Sequence, residues 1–493
     1  MIHRYIRPWL VPQDAEAVKF FYEGSPRGYP LPWKAWLAPL MAWIPLVLAI
    51  YFSMICIVVV LRRQWIERER LTFPLVQVPL AIIEENDNKP SILKPFYKNG
   101  LMWAGFALPF IVGCLNALHN YWNFVPNVNL QTSIPLFRNT TAQTIALSFP
   151  MLGFSYFVNL DIAFAIWFFN LLARVEQGLF GILGVTSTQK LYYAGGFPIL
   201  AHQGMGAMLV LAALGLWTAR PHLRAVWRKA LTGDAAIDDS DEILSYRVAV
   251  CGLIGSVGFV AAWLWLAGLA WWILPVYLLA MYLIFIAITR VVAEGGIAAA
   301  RAPLIAADIR TSVMASAANE LKLAEEQLGR GKRGLFWAMA LAITVSLIAS
   351  IATVLHLSYA YGGINLNGWF FGPTGGPVYP FNFISGHLNN PVGPNPVGWF
   401  SPLAGGGVMA LLLIHTSSPQ KTPETLHKKP TGQTTPPRSG APHTRAPPWR
   451  GNKQITPDTN FGSELSRTPR WGGAPHTRAP SRRGNCGAAH THG

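Results

Sequence analysis

Polar side chains inside apolar stretches are the residues of this chain best placed to do chemistry. A polar group in a membrane interior is costly, so each such residue is a candidate for binding a solute or moving a proton. Asn116 and His119 lie three residues apart near the end of the apolar stretch Leu101–Tyr121 and therefore share a helical face. The pair predicts either a wall that contacts solute, with His119 able to bind a proton, or a hydrogen-bonded seam or interfacial cap.

A second group of polar residues surrounds a break between the apolar runs Thr144–Val158 and Leu160–Leu172. Asn159 separates the runs, and Asn170 is eleven residues further on, so both lie on one helical face and are candidates for a solute pathway. Asp161 points roughly the other way. A carboxylate in apolar surroundings can exchange protons, and the alternative is a solvated residue at the tip of a hairpin.

Five further residues complete the predicted site. Gln77, His202 and Gln203 are polar residues in apolar or glycine-rich surroundings and extend the predicted solute pathway. Arg290 and Glu294 lie four residues apart near the end of another apolar stretch and predict a coupling site or ion pair. The alternatives are close helix packing around the glycines near His202 and an anchor pair at the cytoplasmic end of a span.

Several function classes have no support in the sequence. It contains no P-loop, HExxH motif, nucleophile elbow or CxxC pair, so we expect no catalytic residue, no cofactor and no metal site. The net charge of +16 does not indicate nucleic-acid binding, because residues 417–493 hold 12 Lys and Arg against 3 Asp and Glu. The four cysteines are far apart, and disulfides are not expected.

Long apolar runs must position these residues. Of the 493 residues, 52% are apolar and 13% are charged, whereas soluble domains carry about 25% charged residues. Runs of about 20 residues are long enough for a membrane-spanning helix. They are Trp36–Leu61, Leu101–Tyr121, Pro198–Trp217, Arg247–Gly268, Ala270–Val292 and Leu335–Leu357, with a shorter run at Pro402–His415. The pattern predicts an all-α, polytopic transmembrane helix bundle with membrane lipids as partners.

The segment Leu71–Ile83 is apolar but too short to span. Its 13 residues fall below the roughly 20 that a span needs, and Pro74 and Pro79 interrupt it. Broken segments are tolerated in membranes where they are buried in protein or line a wet cavity. The segment therefore predicts a re-entrant or broken helix beside a solute pathway, with a helix lying at the membrane interface as the alternative.

The distribution of Lys and Arg predicts orientation. The end of the first span and residues 220–229 are basic and are expected in the cytoplasm, whereas residues 123–143 carry a single Arg and are expected outside. An odd number of crossings therefore separates 123–143 from 220–229. Because Pro198–Trp217 supplies one, Thr144–Leu172 is expected to form a hairpin of two short spans or a re-entrant loop, bending near Asn159.

Three regions differ in composition. Residues 1–35 are polar, and residues 36–415 are expected to form a transmembrane domain of about seven to nine membrane elements. Residues 416–493 form a low-complexity basic tail, in which Gly440–Asn452 recurs as Gly473–Asn485 with 11 of 13 residues identical. Such sequence predicts disorder. We expect the tail to be out-of-frame sequence and the chain to be truncated at both ends. Within the transmembrane domain, Asn319–Leu328 predicts a short amphipathic cytoplasmic helix with a structural role.

Several motifs resemble those of one family of membrane proteins. The segments ERERLTFPLVQVPL, PWKAWLAPLMAW and WAGFALPFIVGCLNALHNYW resemble an uncharacterised bacterial polytopic family, a domain of unknown function that is distantly similar to the oligopeptide transporter superfamily. YFVNLDIAFAIWFFNLL and RVVAEGG also look familial, and the similarity covers residues 8–413. Leu75 and Val76 replace the Ser-Gly of the superfamily's corresponding segment, so its substrates are not carried over.

The resemblance implies a secondary transporter of small organic solutes, peptide-like and ion- or proton-coupled, in a bacterial cytoplasmic membrane. Coupling would fall to Asp161, Glu294 or His119, a small-molecule solute would be the partner, and a homodimer is an open alternative. Two rival functions are a membrane-embedded enzyme that acts on lipid-linked substrates and a membrane scaffold that transports nothing. The enzyme would use Glu294, Arg301 and Asp308.

Overall fold

Helices account for nearly all of the described structure. The computed structural model describes residues 6–26, 28–83, 95–187, 197–296, 301–302, 307–308, 312–327, 332–372, 376–391, 393 and 395–417. The helices in these ranges are α1 (Ala15–Glu23), α2 (Trp33–Arg63), α3 (Pro74–Ile83), α4 (Pro95–Lys98), α5 (Gly100–His119), α6 (Phe149–Ser155), α7 (Leu160–Leu183), α8 (Pro198–Thr232), α9 (Tyr246–Ala267), α10 (Leu274–Gly295), α11 (Val313–Gln327), α12 (Arg333–Tyr361), α13 (Gly368–Phe371), α14 (Tyr379–Asn389) and α15 (Pro396–Ser417). A π-helical turn, Gln64–Arg68, continues α2.

Eight helices of the described part are long and apolar enough to cross a membrane: α2, α5, α7, α8, α9, α10, α12 and α15. They confirm the predicted all-α, polytopic fold, and the protein is an integral, multi-pass membrane protein. The predicted low-complexity tail lies outside the described residues, apart from the last two residues of α15. The chain divides into two units, residues 1–420 and 421–493.

Local signals in the sequence fix where the helices begin and end. The side chain of Asn99 accepts a hydrogen bond from the Leu101 amide at the start of α5, which satisfies one of the free donors of a helix N-terminus. Pro198 opens α8, where its missing N–H costs nothing. Gly233 and Gly268 end α8 and α9 in the left-handed conformation that glycine adopts without strain.

The predicted break near Asn159 is present, because α6 ends at Ser155 and α7 begins at Leu160. The second apolar run is longer than predicted, since α7 extends for 24 residues to Leu183. The side chain of Asn159 caps α7 by accepting a hydrogen bond from the Asp161 amide. Only the short α6 and a β-hairpin precede α7. That hairpin pairs β1 (Gln131–Leu136) with antiparallel β2 (Thr141–Ala146), and its tip reaches α7 at Gly178. The number of membrane crossings between residues 123–143 and 220–229 stays a prediction.

The core is centred on the second half of α2. Every residue from Ser53 to Arg62 is buried, and so is every residue of α10 from Ile284 to Thr289. A helix that is apolar on all sides must be shielded from water by protein or by lipid. Around the second half of α2, residues of α8, α9 and α11 supply protein surface. By contrast, α5 and α7 bury almost none of their most apolar residues. Their apolar surfaces are suited to contact with lipid.

Helices α8 and α15 approach each other closely through glycines. A Cβ at Gly206 would collide with the carbonyl oxygen of Pro402, and a Cβ at Gly405 would collide with the carbonyl oxygen of Gln203. Small residues allow membrane helices to pack with their backbones in contact. The glycine-rich start of α8 is therefore a packing surface.

Two short helices, α3 and α11, insert among the long ones. The amide of Phe73, just before α3, donates to the carbonyl of Ala293 at 2.7 Å, and the Thr72 hydroxyl donates to the carbonyl of Glu294 at 2.8 Å. Leu75 packs against buried residues of α10. Helix α11 begins at Val313, earlier than predicted, and its buried face packs against α2 and α10. The short helices confirm the predicted fold class with broken helices.

Candidate functional site

Charged side chains from four parts of the chain meet where α2 ends, and we call this group the charged cluster. Its members are Arg62, Arg63, Asp241, Glu242, Glu325 and Lys332. Glu242 is 0% exposed and Arg62 is 3% exposed. Two nitrogens of Arg62 donate to the two carboxylate oxygens of Glu242, at 2.8 and 3.0 Å. A buried charge is tolerated when it is paired in this bidentate way.

The remaining members extend the cluster to α11 and α12. Glu325, near the end of α11, accepts a hydrogen bond from Arg62 at 3.1 Å. Lys332, just before α12, donates to Asp241 at 3.1 Å. Arg63 places its Nε 2.9 Å from the second carboxylate oxygen of Glu242. The cluster therefore ties the ends of α2, α11 and α12 to the loop between α8 and α9.

The loop between α8 and α9 is folded by its own carboxylates. The side chain of Asp238 accepts a hydrogen bond from the Ser240 amide, which lowers the pKa of Asp238 below the ordinary value. Asp239 accepts a hydrogen bond from the Tyr246 amide at 3.0 Å, at the start of α9. These turns direct Glu242 inward, where the Tyr246 hydroxyl also donates to it.

Arg290 forms a separate ion pair with a residue that the sequence did not indicate. Its terminal nitrogen lies 2.7 Å from a carboxylate oxygen of Glu69, whereas its Nε lies 3.9 Å from Glu294. Glu69 follows the π-helical turn and also accepts a hydrogen bond from the Gln64 side chain. The predicted pair Arg290 and Glu294 is therefore present, but Glu69 is the closer partner.

A cavity of about 560 Å³ lies between α2, α11 and α12. Ligand pockets typically occupy about 300–1,000 Å³. Apolar side chains form most of its wall, and five residues contribute polar groups. These are Tyr51, Ser316, Glu320, Ser346 and Ser350. The cavity thus combines an apolar body with a few polar groups, which is the usual composition of a small-molecule site.

Glu320 is the ionisable carboxylate of this cavity. The surrounding protein raises the pKa of Glu320 above the ordinary value, because burial disfavours the charged form. Among the described residues, Glu320 has no hydrogen-bond or ion-pair partner, although its neighbours on α11 do. Glu325 pairs with Arg62, and Glu326 pairs with Lys322 at 2.6 Å. A carboxyl group with a raised pKa inside a cleft is a functional candidate.

A smaller cavity of about 250 Å³ adjoins the charged cluster. Arg63, Arg68, Glu67 and Asp238 line it together with His222, so its positive and negative groups are balanced. His222 donates from Nε2 to the carbonyl of Val60 at 2.9 Å and thereby joins α8 to α2. This lining favours neither anions nor cations, and the larger cavity is the better candidate for a solute.

Comparison with known families identifies the chain's relatives. A family model matches residues 1–308 and 297–419, which is most of the 493 residues. The chain belongs to DUF6785, a family of unknown function. No curated protein and no solved structure matches the chain. The predicted resemblance to a membrane family of unknown function is confirmed, whereas the more distant likeness of DUF6785 to oligopeptide transporters stays a prediction.

The predicted polar residues of α5, Asn116 and His119, form hydrogen bonds with the loop that follows α5 in this DUF6785 member. Asn116 accepts a hydrogen bond from the Val128 amide at 2.8 Å and donates to the Val128 carbonyl at 3.1 Å. Nδ1 of His119 lies 2.6 Å from the carbonyl of Val125. These contacts favour the interfacial cap over the solute wall.

The other predicted pathway residues do not converge. Asn159, Asp161 and Asn170 are exposed on α7, and Gln77 is exposed on α3. Asp161 lies in the first turn of α7, where a carboxylate stabilises a helix N-terminus. Their roles in a pathway stay predictions, and the described structure does not bring them to one site.

His202 and Gln203 lie where α8 meets α7. His202 is buried, and its Nδ1 lies 2.8 Å from the carbonyl of Pro198. The amide of Gln203 donates to the carboxylate of Glu176 on α7. The sequence does not single out Glu176, because this residue lies beyond the end of the apolar run Leu160–Leu172.

The cavity residues carry a signal that sequence reasoning could have used. Ser346 and Ser350 are four residues apart in the long apolar stretch of α12, so their hydroxyls share one helical face. Glu320 is harder to find, because its neighbours on α11 are also charged. Only the packing of α11 beside α2 and α12 shows that Glu320 lines the cavity, whereas Glu325 and Glu326 form ion pairs.

Proposed function

We propose that this protein is a secondary transporter of small organic solutes, with proton coupling at Glu320. The observation that carries the proposal is the cavity between α2, α11 and α12, which places Glu320 among hydroxyl groups and apolar side chains. The raised pKa of Glu320 suits a group that alternates between protonated and ionised forms. Glu320 thus takes the coupling role that the sequence assigned to Asp161, Glu294 or His119.

The short helices support transport. Transporters build their solute sites from discontinuous helices near the middle of the membrane. Here α11 contributes Val313, Ser316 and Glu320 to the cavity, while its other end is held in the charged cluster through Glu325. Helix α11 thus connects the cavity to a buried ion pair without itself being long enough to span a membrane.

The enzyme alternative has less support. Its proposed acid Glu294 lies at the end of α10, where its side chain is near Arg290 and its backbone carbonyl accepts the Thr72 hydroxyl. These contacts join α10 to the segment before α3 and give Glu294 a structural role.

Uptake into proteoliposomes tests the proposal. The purified full chain is reconstituted, a pH gradient is imposed, and uptake is measured for a panel of radiolabelled amines, amino acids and dipeptides. We expect uptake that collapses with the gradient and is lost in Glu320→Gln. Glu326→Gln is the matched control, because Glu326 lies on the same helix and pairs with Lys322 away from the cavity. Uptake of every solute at the rate of empty liposomes would contradict the proposal.

A further inference from the structure

The described wall of the larger cavity contains an acidic group but no basic group. Glu320 is its carboxylate, and the other polar groups that line it are hydroxyls. No Lys, Arg or His belongs to the described lining. A solute carrying a negative charge would therefore lose its hydration without gaining a counter-charge, which is costly in a partly apolar site.

Three cations on neighbouring elements form ion pairs away from the cavity. Lys322 of α11 lies 2.6 Å from Glu326, and Lys332 before α12 donates to Asp241. Arg62 of α2 is paired with Glu242, Asp241 and Glu325 in the charged cluster. None of these three cations, nor Arg333 at the start of α12, is among the described residues that line the cavity. Within the described residues, Glu320 is therefore the charged group that a bound solute meets.

We propose that the cavity binds a small amphipathic organic cation, an ammonium group on an apolar body, in exchange for the proton of Glu320. The ammonium pairs with the ionised carboxylate, the hydroxyls accept its remaining N–H groups, and the apolar wall holds the body. One proton leaves Glu320 for each cation that binds. The volume of about 560 Å³ is ample for such a molecule.

This class differs from the peptide-like solute that the sequence resemblance implied. A dipeptide is a zwitterion, and its carboxylate would find no cationic partner on the wall. Binding at equilibrium needs no gradient, so the cation site can be tested without transport. The inference rests on the proposed transport function only where cation and proton are exchanged across a membrane.

Equilibrium binding to the full chain in detergent tests the inference. The probe is radiolabelled pentylammonium, and the competitors share a similar apolar body but differ in charge: hexylammonium, hexanol and hexanoate, together with dialanine. We expect displacement by hexylammonium alone. In weakly buffered solution below the pKa of Glu320, we expect release of about one proton per bound probe. Below the pKa of Glu320, affinity should fall roughly tenfold per pH unit, because proton and cation compete.

Variants of α11 distinguish this site from a general apolar groove. Glu320→Gln should lose at least tenfold in affinity and all proton release, whereas Glu320→Asp should retain proton release. Glu326→Gln should bind as the unmodified protein does. Equal displacement by hexanoate or hexanol, or unchanged binding in Glu320→Gln, would overturn the inference.

The two proposals fail separately. Cation binding that depends on Glu320, without gradient-driven uptake, would overturn transport and leave the binding site standing. Uptake of a neutral or anionic solute that depends on Glu320, without cation binding, would overturn the cation preference and leave transport standing.

Discussion

Glu242 is a carboxylate without exposed surface, surrounded by two arginines and the hydroxyl of Tyr246. A neutral residue in place of Glu242 leaves the buried guanidinium of Arg62 without its bidentate partner, in surroundings with little water. Glu242→Gln should therefore reduce the free energy of unfolding by about 3–5 kcal/mol. Denaturant-induced unfolding of the purified protein in mixed micelles measures the change.

The control for Glu242→Gln is Glu23→Gln. Glu23 forms an exposed pair with Lys19, four residues away on α1, at 3.8 Å. Exposed pairs contribute about 0–1 kcal/mol. Equal losses in the two variants would show that Glu242 is no more important than a surface carboxylate.

Glu320 predicts a pH dependence of stability. Its pKa is raised in the folded protein, so the folded state holds this proton to higher pH than the unfolded chain does. The stabilising contribution is full below the pKa of the unfolded chain and is lost as pH rises through the folded pKa. Glu320→Gln should therefore melt at a higher temperature than the unmodified protein at neutral pH, and at the same temperature in acid.

Thermal unfolding across a pH series in detergent checks this prediction. Glu326→Gln carries the same chemical change at an exposed, paired position and should keep the pH profile of the unmodified protein. A lower melting temperature for Glu320→Gln at neutral pH would contradict the raised pKa and assign Glu320 a stabilising role.

Individual residues in the site were the least predictable part of the molecule. Sequence spacing correctly paired Arg290 with Glu294, since neighbours on a helix are set by its geometry. The closest contacts, such as Arg62 with Glu242, join residues 180 positions apart, and no local pattern encodes them. Polar residues in apolar stretches were therefore found, but their partners were not.

At the scale of elements, the contact between α8 and α15 gives a sharp comparison within one helix. Gly206 is buried against the Pro402 backbone, whereas Gly204 has open space where a Cβ would lie. Alanine improves helix propensity by up to about 1 kcal/mol at either position. At Gly206 the added methyl group must also displace α15, at a cost of about 1–3 kcal/mol or more.

We therefore expect Gly206→Ala to be clearly less stable than Gly204→Ala. Melting temperatures of the two variants in the same detergent give the comparison. Because both substitutions add the same methyl group to α8, equal melting temperatures would show that α15 does not pack against Gly206.

Apolar runs predicted most of the long helices, because length and composition suffice for a membrane span. The sequence predicts a break at Asn159, which caps α7, but it does not predict the full length of α7. The apolar run ends at Leu172, yet the helix continues because the following polar residues find partners. Arg174 donates to Gln143, and Glu176 accepts a hydrogen bond from Gln203.

At the scale of the whole molecule, the family match ends at nearly the same residue as the first of the two units of the chain. The match ends at residue 419, and residues 421–493 form a unit of their own. From a composition this poor in apolar residues we expect no packed core. A chain that ends at residue 420 should therefore have the same melting temperature in detergent as the full chain. A loss of several degrees would show that residues 421–493 stabilise the helices.

The helices differ in how much they depend on one another. Helices α2 and α10 are enclosed by neighbours, whereas α5 and α7 expose most of their apolar side chains. The stable centre is thus built around α2, whereas α11 and α12 form most of the wall of the candidate cavity. Lipids have most access to α5 and α7, and substitutions there should affect stability less than those in α2.

The pairing of Arg62 with Glu242 has a consequence for biosynthesis. Arg62 leaves the ribosome 180 residues before its partner does. At about 5–20 residues per second, synthesis of the intervening chain takes about 10–40 s. Throughout that interval the guanidinium group lacks the buried carboxylate that binds it in the folded protein, so water at the membrane surface must solvate it. Helix α2 therefore reaches its final position only after α9 has begun to form.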